Sequence, residues 1–156
     1  LFAIPAGIIG SRVGRRITIS AGIIILGSCM LSMYFLSVPT LTYVLTKLPV
    51  LGEVPGISIV LMIAGLGWSL ININSLPMVV DMTTPVKIGT YTGLYYLFST
   101  LAAIAGPNIN GWIIQLSGKN YATTMIAAPI FMLLAFLMMI KVRRGESVTD
   151  NPLPKG

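Results

Sequence analysis

The 156-residue chain has no histidine, one cysteine and only four acidic residues. Each scarcity removes a class of chemistry. Zinc and di-iron centres need clustered His, Cys and carboxylate ligands, and the acids here, Glu53, Asp81, Glu146 and Asp150, are scattered. A hydrolytic site built on a histidine base is excluded. The single thiol, Cys29, has no partner for a disulfide within the chain and lies in an apolar run, where it reads as a small buried hydrophobe. No metal, cofactor or enzymatic centre is expected. Charge of either sign is also scarce: 9% of residues are charged, whereas a soluble domain carries roughly a quarter.

Apolar residues fill the space left by the missing charges. They make up 55% of the chain, and the mean hydropathy is +0.90. So few charges cannot cover a soluble surface, so bilayer is the natural solvent. The net charge of +6 would suit nucleic acid. The basic residues, however, stand at the ends of apolar runs and not on a polar face, so no nucleic-acid partner is expected.

Crossing a hydrocarbon core of about 30 Å takes about 20 residues of helix. Four runs qualify: residues 17–36, 57–80, 90–114 and 122–140. Backbone polar groups in lipid must be satisfied within the segment, which predicts helices. Continuous runs such as Ile23-Ile24-Ile25-Leu26 exclude the alternation of a membrane barrel. The expected fold is therefore all-α and integral to the membrane, with four complete spans. Residues 1–10 are too short to cross and read as the last turns of a helix that starts upstream, which would make the chain the C-terminal part of a longer protein. They lack the features of a signal peptide. Residues 38–55 carry Pro39, Lys47, Pro49, Glu53 and Pro55 and read as an extramembrane connection. Shorter loops fall at 81–89 and 115–121, and residues 141–156 form a polar tail expected to be disordered.

Lysine and arginine set the orientation. One side of the alternating connections holds Arg12, Arg15, Arg16, Lys87, Lys141, Arg143, Arg144 and Lys155, and the other only Lys47 and Lys119. The first side is expected to be cytoplasmic. The tail then lies inside the cell, and the proline-rich connection faces out from a multi-pass plasma-membrane protein.

Polar side chains at membrane depth tend to face a bundle interior or an aqueous cavity. At 100° per residue, Gly65, Trp68, Ser69, Asn72 and Ser75 share a stripe, and Asn74 points the other way. Asn72 carries both a donor and an acceptor, which suits sugar hydroxyls. Helix-to-helix hydrogen bonding is the plainer role for both asparagines. In the next span Tyr91, Tyr95 and Ser99 recur at helical spacing, ahead of Gly106-Pro107-Asn108-Ile109-Asn110-Gly111. Pro107 frees a carbonyl near Ala103 and should kink or loosen the helix there. Such interruptions serve transporters as midplane sites and hinges. The candidate solute pathway is Trp68, Ser69, Asn72, Tyr95, Ser99 and Asn108. No acid lies in the middle of a span, so a carboxylate that couples transport to protons or sodium is expected outside these residues.

The segment Gly7-Ile8-Ile9-Gly10-Ser11-Arg12-Val13-Gly14-Arg15-Arg16 reads as a tight polar turn between two membrane helices. It resembles motif A of the major facilitator superfamily, with Gly7, Arg12, Gly14, Arg15 and Arg16 matching and Ser11 where the family usually has Asp. The run from Gly65 through Asn72, Asn74 and Pro77 to Asp81, and the run from Gly89 to Ser99, resemble the tenth and eleventh helices of bacterial sugar:cation symporters. The sucrose/proton symporter-like carriers are the nearest branch, with the glycoside-pentoside-hexuronide symporters next. The resemblance implies the end of helix eight through helix twelve of a twelve-helix fold, partnered by the N-terminal helices of the same protein. It also implies a gating loop of Gly7, Arg12, Gly14, Arg15 and Arg16, with Asp81 as partner for Arg12 or Arg15 and Ser11 placed to cap a helix start. The function implied is symport of a di- or oligosaccharide with a proton or sodium ion by alternating access; an exporter of small hydrophobic compounds is the alternative.

Overall fold

The computed structural model describes residues 3–49 and 52–142. Helix α1 covers Ala3–Val13 and α2 Arg15–Phe35. A short helix α3 (Val38–Thr42) leads into strands β1 (Val44–Leu48) and β2 (Gly52–Pro55). Helix α4 is Gly56–Asp81, α5 is Ile88–Leu116, and α6 is Thr124–Lys141. Four of these, α2, α4, α5 and α6, are long and apolar enough to cross a membrane, which makes the fold that of an all-α integral membrane protein with one small hairpin.

Punctuation in the sequence explains the boundaries. α2 stops at Phe35, where Leu36 turns extended, and Pro39 then stands in the first turn of α3, where its missing N–H costs no helix bond. α4 begins directly after Pro55 and ends before Thr83-Thr84-Pro85. α5 ends where Gly118 and Lys119 adopt left-handed φ values of 68° and 64°. Pro77, Pro107 and Pro129 all lie inside helices. Bilayer spans tolerate this, because nearby groups re-satisfy the freed backbone.

The packed body is α2 with α4 on one flank and α6 on the other, and α1 lies against both α2 and α4 at the arginine-rich end. Along α4 the buried residues Ala64, Gly67, Asn74 and Met78, with the half-buried Ile71 between them, repeat at alternating spacings of three and four, the seam of a close-packed helix pair. α2 answers with Ile19, Gly22, Ile23, Leu26 and Cys29. The two helices touch backbone to backbone where they cross. A methyl group on Gly22 would sit 2.7 Å from the Gly67 carbonyl oxygen, and one on Gly67 would sit 2.9 Å from that of Gly22. Small residues allow such approach, and dispersion and Cα–H contacts then reward it in lipid.

Several expectations change. The spans begin or end one or two residues away from the sequence-based limits, with Arg15 and Arg16 inside the first turn of α2 and only Gly14 between α1 and α2. The connection at 38–55 is folded: β1 and β2 pair antiparallel, with Lys47 opposite Glu53. Its signal was available in the β-branched Val44, Thr46 and Val54 around Gly52. Ser11 does not cap a helix start. It lies inside α1 and donates to the Ile8 carbonyl at 3.0 Å, and Gly14 is the N-cap of α2. The tail expected at 141–156 begins with Lys141 still helical, and residues 143–156 lie outside the described residues.

Candidate transport site and arginine turn

The turn is built around Gly14. It is buried and has φ 107° and ψ 133°, a conformation that needs glycine. Its carbonyl accepts both the backbone N–H (3.1 Å) and the hydroxyl (2.8 Å) of Thr18, whose side chain is itself buried. A one-residue connection leaves no slack, so the arginines around it have fixed directions. Arg12 closes the last turn of α1, where positive charge favours the carbonyl end of a helix. Arg15 Nε lies 2.7 Å from Asp81 Oδ2, the final residue of α4. The N–H is not aligned for a hydrogen bond, so the attraction is mainly one of charge. The Arg16 guanidinium donates to the Ile140 carbonyl in the last turn of α6, one of the groups a helix end leaves unpaired. Consecutive arginines thus tie the start of α2 to the ends of two different helices. The sequence alone did not point to Arg16 as a cap for α6.

Asn74 completes the same end of the body. It is 1% exposed, and its amide nitrogen donates to the Ala6 carbonyl of α1 (3.1 Å) and the Leu70 carbonyl of its own helix (2.9 Å). Its carboxamide oxygen has no hydrogen-bond donor and presses on Gly10, where a methyl group would lie 1.7 Å from it. A Cα–H contact from Gly10 is the compensation this geometry allows. Gly7 approaches Ile73 in the same way at ordinary contact distance. Gly7 therefore belongs to helix packing, and Gly10, which the motif leaves open, makes the tighter contact.

The pathway candidates separate into groups. Trp68 and Asn72 are exposed on α4 away from the seam, and the Asn72 amide donates to the Trp68 carbonyl at 3.2 Å. Ser69 is half-buried beside them, and Ser75 is turned back onto the Ile71 carbonyl at 2.6 Å. Tyr95 and Ser99 meet in a groove of about 510 Å³ between α5 and the end of α4, walled by Val79, Tyr91, Leu94, Tyr95, Phe98, Ser99 and Ala102. The Tyr95 ring packs edge-to-face on Tyr96 at 5.4 Å. Trp68, Asn72 and Asn108 are not among the groove walls. Asn108 donates to the Ile104 carbonyl at 2.7 Å, next to the carbonyl of Ala103 that Pro107 deprives of its partner. The groove is mostly apolar, with aromatic faces, little polar surface and no charged side chain, which suits an uncharged ligand. Among the described residues no group of three His, Cys, Asp or Glu is placed to hold a metal ion.

A sequence model of the family described as Major Facilitator Superfamily matches residues 1–156. No curated protein and no solved structure matches the chain significantly.

Proposed function

Because the chain belongs to the major facilitator superfamily, whose members carry small-molecule solutes across lipid bilayers, we propose that it forms part of a secondary transporter moving a di- or oligosaccharide together with a proton. The observation that supports a sugar is the α4–α5 groove, whose Tyr91 and Tyr95 rings and Ser99 hydroxyl are joined by no charged wall residue. Sugar rings present C–H faces that pack on aromatic rings and hydroxyls that pair with phenol and amide groups. Asn72 and Trp68, exposed on the neighbouring helix α4 and outside the groove walls, are a second polar and aromatic pair available to a solute. The coupling cation proposed is a proton, with sodium as the other candidate, and none of the four described spans carries an acid at its centre. Rocking of two half-transporters about a midplane site would expose the solute alternately to the two sides. The lysine and arginine distribution supports a cytoplasmic C-terminus, and the proposed uptake role implies a plasma-membrane protein.

The second reading is an exporter of small hydrophobic compounds, favoured by Val79, Leu94, Phe98 and Ala102 in the same groove. Uptake of radiolabelled sucrose and maltose in an uptake-deficient strain separates the two, measured with and without a protonophore and against Asn72→Ala and Tyr95→Ala. Symport predicts uptake that collapses with the protonophore and falls at least several-fold in both variants. No sugar uptake by protein verified in the membrane, together with lowered accumulation of an apolar dye, selects the exporter.

A further inference from the structure

We infer that residues 35–45, the end of α2 together with α3 and the start of β1, form an interfacial anchor that lies in the lipid headgroup layer at the hairpin end of the protein. This inference does not depend on which solute is carried.

Topology places the segment at a bilayer surface, because it joins two membrane-length helices, α2 ending at Phe35 and α4 starting at Gly56. Hydrogen bonding then fixes its depth. The Gly56 N–H donates to the Tyr43 carbonyl at 3.0 Å, which holds Tyr43 level with the first residue of a span. The Thr40 carbonyl also lies close to Gly56, where a methyl group would be 3.0 Å from it, so α3 rests on the beginning of α4.

The side chains at that level are large, apolar and uncovered. Phe35 is 75% exposed, Val38 72%, Tyr43 68% and Leu45 50%. Leu45 is the extra residue of a β-bulge between the pairs Val44–Pro55 and Thr46–Val54, and bulges re-aim a side chain. An aqueous loop has no reason to carry such a cluster. Farther along the hairpin the character changes: Lys47 Nζ and Glu53 Oε1 pair at 2.6 Å with both side chains exposed. Between the span end and the Lys47–Glu53 pair the segment thus passes from apolar to charged. Trp112 and Tyr121, near the corresponding ends of α5 and α6, are also exposed and continue the belt. The lipid partner is the headgroup–acyl boundary, which takes an aromatic ring while its hydroxyl stays wet. Lys47 and Glu53 cancel each other's charge, so the anchor has no demand for anionic lipid.

Nitroxide labels placed one at a time at positions 38, 43, 45, 47 and 53 test this, in protein lacking other cysteines and reconstituted at one copy per zwitterionic lipid nanodisc. Collision with oxygen reports apolar surroundings, and collision with a water-soluble nickel chelate reports water. The expected result is an oxygen-to-nickel ratio several-fold higher at 38, 43 and 45 than at 47 and 53, unchanged when anionic lipid is added. Nickel access at all five positions would make the segment an aqueous loop and overturn the inference. Low access to both reagents at 38, 43 and 45 would mean that protein covers them, and would overturn it equally.

Discussion

Helices α4 and α5 are two membrane-length helices of 26 and 29 residues, each apolar, each rich in glycine and each with an internal proline. They are used in opposite ways. α4 buries Ala64, Gly67, Asn74 and Met78 against α1 and α2, while α5 buries nothing among the described residues. The difference lies in what the small residues meet. Gly67 meets the backbone of α2, while Gly93 and Gly106 of α5 have nothing within 4 Å. Apolarity marks a helix for the bilayer, and close backbone approach makes it part of a fixed body. Among the described residues α5 makes no such contact, and its Tyr91, Tyr95 and Ser99 line the groove beside α4.

Substitution at Gly67 should break this comparison most severely. Gly67→Leu places a branched side chain where one methyl already lies 2.9 Å from a carbonyl oxygen. The expected loss exceeds the ~1–3 kcal/mol typical of overpacking, seen as aggregation on size exclusion in detergent. Gly65→Leu, two positions away with open space beside it, should leave the elution profile intact. Next comes Gly14→Ala, which forces a side chain into φ 107° and should cost about 1–3 kcal/mol. Its thermal midpoint should drop, whereas Gly10→Ala should fail for a different reason, collision with Asn74.

The two asparagines of α4 sharpen the contrast between a fixed face and a free one. Asn74→Ala removes both of its hydrogen bonds and opens space beneath Gly10, and should cost about 1–2 kcal/mol. Asn72→Ala, on the exposed face, should change stability by less than about 0.5 kcal/mol while lowering uptake. If the thermal shifts of the two variants were equal, the division of α4 into two faces would be wrong. A smaller effect than at Asn74 is expected at Asp81. Asp81→Asn weakens its ion pair with Arg15, which remains partly open to solvent, and should cost about 0.5–1 kcal/mol. A double-mutant cycle with Arg15→Ala should return a coupling of that size.

Much of the architecture was legible before any coordinates. Run length gave four spans within a few residues, because the thickness of the hydrocarbon core sets the length of helix needed to cross it. The hundred-degree step of a helix separated Asn72 from Asn74. The turn glycine could be read from its place between two arginines. The Gly22–Gly67 crossing was not legible, because each glycine sits in an apolar run with several equally plausible contact faces. The hairpin at 44–55 left a weak signal in Val44, Thr46 and Val54, but the prolines and charges around it announce a connection without stating its pairing.

Sequence alone thus determined the solvent, the helical state of the spans and the end of the molecule that carries positive charge. These follow from composition, hydrogen-bond satisfaction and charge placement, all of which act on one segment at a time. Tertiary structure decided which faces meet. It chose Arg15 over Arg12 as the neighbour of Asp81, sent Arg16 to the end of α6, buried Asn74 against Gly10, and brought Tyr95 and Ser99, but not Asn72 or Asn108, into one groove. Those choices depend on the depth and rotation of helices distant in sequence, set by close packing that no single segment encodes.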